Sequence, residues 1–164
     1  LDAGRLMSCS GLRFAAELDG VRAGLAEFGT ISLVRASVVV DWARYGIHML
    51  EAVMGALDRR PVAVQRHVAR HESVAVTLDD GTLLLIVALG AVPKTFGIDI
   101  FGSHRIERIE ISDNFSAFRR TVARFVEQVR TGTPAIAPAD TVRVIETLMA
   151  GAAAEPGGAL RRLV

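Results

Sequence analysis

Cysteine is nearly missing from this chain. Cys9 stands alone among 164 residues, so no internal disulfide can form, and the chain suits a reducing compartment. The cytoplasm is therefore the expected location. Long apolar runs are missing too: the longest, Leu83 to Leu89, has the length of a strand and cannot span a bilayer. No signal peptide is evident, and the chain begins at Leu1 rather than Met, which reads as the start of a segment inside a longer protein. Excess charge is absent: the net formal charge is +1, with Arg pairs scattered at 59–60, 119–120 and 161–162, so no global field attracts nucleic acid. There is no Gly-x-Gly-x-x-Gly after a strand and no P-loop, which removes the usual cradles for a dinucleotide or a nucleoside triphosphate. Internal repeats and low-complexity tracts are also missing. What remains is 51% hydrophobic and 23% charged, a composition that builds one globular domain with a substantial core.

The most informative stretch is Val40 to Leu57. Asp41 is a good N-cap, and Ile47, Leu50, Val53, Met54 and Leu57 recur at helical spacing as one buried stripe. Tyr45 and His48 lie three residues apart on a neighbouring face. Gly46 weakens the helix by about 1 kcal/mol relative to Ala, which suggests close approach of another backbone or a ligand. Glu51, one turn from His48, either orients it or is a solvated helix residue.

Elsewhere the periodicity predicts one helix from Ser8 to Gly29, capped by Ser10, then a strand over Thr30 to Val40 with both faces apolar. Val62, Val64 and Val68 alternate with Gln65, His67 and His71 as a half-wet strand. Val74, Val76 and Leu78 lead into the hairpin turn Asp79-Asp80-Gly81, and Leu83 to Leu89 returns. Phe96 to Ile111 reads as a second hairpin through Gly102-Ser103-His104. Asp113 caps a helix whose Phe115, Phe118, Val122, Phe125, Val126 and Val129 are expected to face the core. Asp140 to Ala154 is the last helix, with Val142, Ile145, Leu148, Met149 and Ala152 inward, and Ala159 to Val164 is a closing strand. The fold class is α+β: an open, largely antiparallel sheet with helices packed on one face. Its other face would stay partly apolar and suggests a homo-oligomer interface. His67 and His71 lack an evident third ligand, so no metal site is expected. Lys94 reads as solvated and Cys9 as inert.

Tyr45-Gly46-Ile47-His48-Met49-Leu50-Glu51 resembles the Asp/Tyr-x-Gly-x-His-x-x-Asp/Glu helix of the glucose–fructose oxidoreductase / inositol dehydrogenase / MocA family. Many members carry Asp where strict spacing falls one position from Tyr45, and the branch with Tyr-Gly-x-His fits better. Ser10-Gly11-Leu12-Arg13-Phe14 is similar to the segment that enters the family's second domain. Phe96 to Ser103 is similar to its late sheet hairpin, and Phe125 to Gly158 to its end. The resemblance runs from about Ser8 to Val164, and its specific part is the order of the pieces.

The resemblance implies that residues 1–164 form a single C-terminal domain for substrate binding and oligomerisation, with a sheet like that of glyceraldehyde-3-phosphate dehydrogenase's C-terminal domain. His48 becomes the catalytic acid/base over the nicotinamide. Tyr45, Arg13 and Arg44 become substrate-binding candidates. The cofactor would be NAD or NADP in a full-length protein, with none expected in this segment, because the family's N-terminal dinucleotide-binding domain and its Glu-Lys-Pro step are absent. The substrate would be a sugar, polyol or related hydroxy compound, with neither nucleic acid nor membrane as partner. A non-catalytic ligand-binding or assembly domain of the same fold is the alternative.

Overall fold

β-Branched and leucine-rich segments make most of the seven strands among the described residues, and their alternation decides which face goes inside. A computed structural model describes residues 6–163. The strands are β1 (Ile31–Val38), β2 (Pro61–Val68), β3 (Glu72–Leu78), β4 (Leu83–Ala88), β5 (Phe96–Gly102), β6 (Ile106–Glu110) and β7 (Arg161–Arg162). They form one sheet in the order β6-β5-β1-β4-β3-β2-β7. Only β1 and β4 pair in parallel; the other neighbours are antiparallel, as the hairpin turns led one to expect. The inward residues include Val34, Ala36 and Val38 of β1 and Leu84, Ile86 and Ala88 of β4, all joined in one core. The opposite face is half-exposed and mixed: Leu33, Leu85 and Val87 share it with Arg35, whose Nε donates to Asp99 Oδ2 at 2.9 Å. Sequence alternation made both faces of β1 apolar, yet only one is covered among the described residues.

Among the described residues four α-helices accompany the sheet: α1 (Asp19–Ala23), α2 (Ile47–Leu57), α3 (Asn114–Thr131) and α4 (Pro138–Ala153). Helix α2 starts as expected. Asp41 Oδ1 accepts from the Arg44 amide at 2.9 Å, and the chain makes a π-helical turn over Trp42–Gly46 before the regular helix begins. Asp58, in the left-handed region, ends it. The stripe residues Leu50, Val53, Met54 and Leu57 are buried, and Ile47 is partly so.

Trp42 anchors this helix to the rest. Its ring is 1% exposed, and Nε1 donates to the Leu148 carbonyl of α4 at 2.9 Å. A Cβ on Gly46 would come within 2.6 Å of the ring, and one on Gly151 of α4 within 2.7 Å. The helix-weakening Gly46 thus makes room for Trp42, not for a foreign backbone or a ligand.

Four expectations change. The segment Ser8 to Gly29 is not one helix but 3₁₀ turns at Gly11–Phe14, Ala16–Leu18 and Leu25–Phe28 around the short α1. Arg22 explains the break. Its guanidinium takes the carbonyls of Arg13 and Ala15, which a continuous helix would have used, and reaches the Gly55 carbonyl of α2 at 3.2 Å. On α3, Phe115 (77% exposed), Phe118, Val122, Val126 and Val129 face outward; Ala117 and Gln128 are the buried residues. On α4, Val142, Ile145, Met149 and Ala152 are exposed, and Val144, Thr147, Ala150 and Gly151 are buried, with Gly151 against the Trp42 ring. Finally, His71 lies in the turn after β2, so it shares no strand face with His67; both are exposed, and no metal-binding group occurs among the described residues.

Smaller shifts follow from register. A bulge between Pro61 and Ala63 leaves Val62 exposed, and the closing strand shrinks to Arg161–Arg162; Val164 lies outside the described residues.

Gly151→Ala tests the Trp42 seat. Helix propensity alone favours Ala by about 1 kcal/mol. Overpacking of a closed site costs about 1–3 kcal/mol. The expected net result is a lower Tm, by several degrees in a thermal melt. A Tm equal to or above that of the parent would show that the ring is not confined there.

Candidate active site

His48 sits in the first turn of α2, half-buried. Its Nδ1 lies 2.8 Å from Ser10 Oγ, contributed by the segment just before the Gly11–Phe14 turn. Ser10 Oγ also accepts from the Leu12 amide at 3.2 Å, so the hydroxyl is held from both sides. A serine hydroxyl donates or accepts as it rotates. It can therefore accept from Nδ1–H, which leaves the Nε2 lone pair free as a base. It can equally donate to a bare Nδ1, which leaves Nε2–H as a donor. Among the described residues no hydrogen bond engages Nε2. Burial holds the imidazole below its ordinary pKa, so the neutral, proton-accepting form prevails near neutrality.

The side chains of Tyr45, His48 and Phe96 meet. The Tyr45 and His48 rings are edge-on with centroids 5.3 Å apart. Phe96, from the start of β5, stacks on Tyr45 at 6.5 Å and meets His48 edge-on at 6.0 Å. They border a cavity of about 640 Å³ whose lining also includes Ser10, Val40, Lys94 and Asn114. Val40 is a β-branched residue at φ 67°, held there by paired hydrogen bonds with Gly90 at 2.9 Å in each direction. Such a conformation costs about 1–3 kcal/mol and is found where structure is shaped for a purpose.

The arginines lie elsewhere. Arg13 turns under α2, where Nη1 meets Glu51 Oε2 at 2.6 Å. Glu51 is 1% exposed; burial pushes its carboxyl up and Arg13 opposes that shift. Glu51 is thus neither solvated nor bonded to His48, and Ser10 is the residue that orients the imidazole. Arg44 folds back onto Asp41 at 2.8 Å on the surface. Neither arginine lines the cavity. Cys9 is pushed up to about 11, chiefly by burial, which suits an inert thiol. Sequence reasoning missed Ser10, Phe96 and Asn114 as site residues; the Ser10 partnership spans 38 positions, which no local pattern reports.

Among the described residues the positive-φ glycines Gly29, Gly81, Gly90, Gly132 and Gly157 precede a strand, turn hairpins or loops, or end a helix. None joins a strand to a helix N-terminus, where a pyrophosphate would be held.

No family model matches the sequence, and no curated protein does. Solved structures do match. A myo-inositol 2-dehydrogenase from Lactobacillus plantarum aligns with TM-score 0.80 at 12% identity, covering 99% of this chain and 66% of that one. A myo-inositol dehydrogenase from Corynebacterium glutamicum gives 0.79 at 17% identity, covering 99% and 66%. Over the matched part, the chain shares its fold with these inositol dehydrogenases. A third, the Lactobacillus casei myo-inositol dehydrogenase solved in complex with NAD(H) and myo-inositol, aligns with TM-score 0.78 at 14% identity over 98% of this chain and 62% of that one. The chain thus spans somewhat less than two thirds of the length of these inositol dehydrogenases. Inositol dehydrogenases are also among the proteins that name the family which the Tyr45–Glu51 helix resembles.

The environment of His48 is testable by NMR. Its imidazole should titrate below the usual value of about 6.5. The folded state then binds fewer protons than the unfolded state between the lowered pKa and about 6.5. Stability contributed by the neutral ring is present above that window and lost as pH falls through it, an effect absent from His48→Asn. A His48 pKa at or above 6.5 would contradict the burial.

Proposed function

We propose that this chain is the C-terminal, substrate-binding part of a nicotinamide-dependent oxidoreductase that acts on a sugar, polyol or related hydroxy compound. The observation that carries this reading is His48, oriented at Nδ1 by Ser10 and bordering the cavity beside Tyr45. When bound, NAD or NADP supplies hydride transfer; the residues of this chain manage the proton. Tyr45 and His48 position the substrate oxygen, Nε2 accepts the hydroxyl proton in the oxidative direction, and Ser10 Oγ receives Nδ1–H as the ring becomes charged. The apolar wall limits water at the reacting carbon. Such a positioned base contributes about 10²–10⁴-fold in rate.

The phosphate cradle would come from an N-terminal dinucleotide-binding domain. The exposed stripe Phe115, Phe118, Val122, Val126 and Val129 of α3 supports docking of such a domain, since Phe118 belongs both to the stripe and to the cavity lining. The open sheet face, with Leu33, Leu83, Leu85 and Val87, supports a homo-oligomer. A cytoplasmic enzyme that uses neither nucleic acid nor membrane fits this picture; no helix among the described residues is long and apolar enough to cross a bilayer.

Two experiments test the reading. Titration of this chain alone with NAD(H) should show no micromolar binding by calorimetry, and micromolar binding would place a cradle within it. In the full-length protein, His48→Asn should lower kcat by about 10²–10⁴-fold with little change in Tm, while Tyr45→Phe should raise KM more than it lowers kcat. Normal turnover by His48→Asn would remove catalysis from this helix.

A further inference from the structure

Lys94 is the only lysine among the 19 Lys and Arg residues of the chain. Arg and Lys are not interchangeable: the ammonium is a compact point charge with three rotatable donors, where the guanidinium is a planar fork. A chain that uses Arg everywhere else keeps its one Lys on the lining of the candidate site. Lys94 is exposed in the loop between β4 and β5, with Nζ 5.7 Å from the Phe96 ring centroid, and Phe96 is the ring that touches both Tyr45 and His48. Lys94 makes no ion pair among the described residues, and no carboxylate lines the cavity.

The rest of the lining is poor in polar groups. Val39, Val40, Val92, Phe96 and Phe118 form apolar walls. Ser10 Oγ is already engaged by His48 and the Leu12 amide. Among the lining side chains that leaves Tyr45, His48, Lys94 and Asn114, the last with a buried Oδ1 that has no partner among the described residues. On the wall that this chain contributes, a ring bearing a hydroxyl on every carbon would set several of them against valine and phenylalanine, which costs binding for each one left unpaired. A ligand with few oxygens, an apolar body and one negative charge suits that wall better. A single cation matches a carboxylate better than a phosphate dianion.

We propose that Lys94 anchors the carboxylate of a monoanionic hydroxy or keto acid with an aliphatic body, its reacting oxygen lying at Tyr45 and His48. This rests on the reading of the Tyr45–His48 cavity as the substrate site. The test is NMR titration of the chain with 2-hydroxy-4-methylpentanoate, its methyl ester, inorganic phosphate and myo-inositol. The acid should shift the His48 and Lys94 signals and bind at least about tenfold more tightly than the other three probes, a difference of about 1.4 kcal/mol. Lys94→Gln should abolish the preference for acid over ester and leave ester affinity within about twofold, with the spectrum confirming the fold. Preference for the acid that survives Lys94→Gln overturns the proposal. So does myo-inositol or phosphate binding as tightly as the acid; myo-inositol shifting His48 and Tyr45 with no dependence on Lys94 leaves the site reading intact and overturns the anchor alone. If none of the probes perturbs His48 or Tyr45, both fall.

Discussion

The enclosed indole of Trp42 anchors the start of the helix that carries Tyr45 and His48. Its ring is closed in by Gly46 and Gly151, its Nε1 is tied to α4 through the Leu148 carbonyl, and its amide donates to Glu72 Oε2 of β3 at 3.0 Å. Removal of such a side chain costs about 3–5 kcal/mol, a large part of a typical domain's stability. The π-helical turn begins at Trp42, so the seat of the ring fixes the direction in which Tyr45 and then His48 leave the helix. Core packing and site geometry are therefore one constraint: loosening of the ring would move the imidazole relative to Ser10.

Beneath the site, a buried ion pair locks the 3₁₀ segment to α2. Glu51 and Arg13 are both largely shielded from water, and the loss of either partner would strand a buried charge at a cost of about 3–5 kcal/mol. Ser10 lies three residues before Arg13, as His48 lies three before Glu51, so the ion pair and the Ser10–His48 hydrogen bond are two contacts of one interface. The pair holds the interface and the hydroxyl orients the ring. Such a division lets the imidazole change protonation state without altering the contact that positions it.

Much of this was legible in the sequence, and the missing part has physical causes. The Asp41 cap, the stripe of α2, the Tyr45–His48 face and the turn at Gly81 depend on local spacing and appear where spacing put them. The break-up of residues 8–29 depends on Arg22 reaching carbonyls from outside, which helical periodicity does not register. For α3 and α4, the period correctly grouped apolar residues such as Phe115, Phe118 and Val122 on one face. Periodicity states that residues share a face but not what covers it, and here nothing among the described residues does. Arg13 and Glu51 were separate candidates in the sequence and are partners in space.

The most direct test of the central claim, that the Tyr45–His48 cavity is where a nicotinamide-dependent reaction takes place, is a crystal structure of the intact protein with nicotinamide cofactor and a bound hydroxy compound. The expected result is a nicotinamide ring facing the cavity, with the ligand oxygen within hydrogen-bond distance of His48 Nε2 and Tyr45 Oη while Ser10 Oγ remains on Nδ1. A cofactor or ligand bound away from this cavity, with His48 still enclosed and untouched, would contradict it.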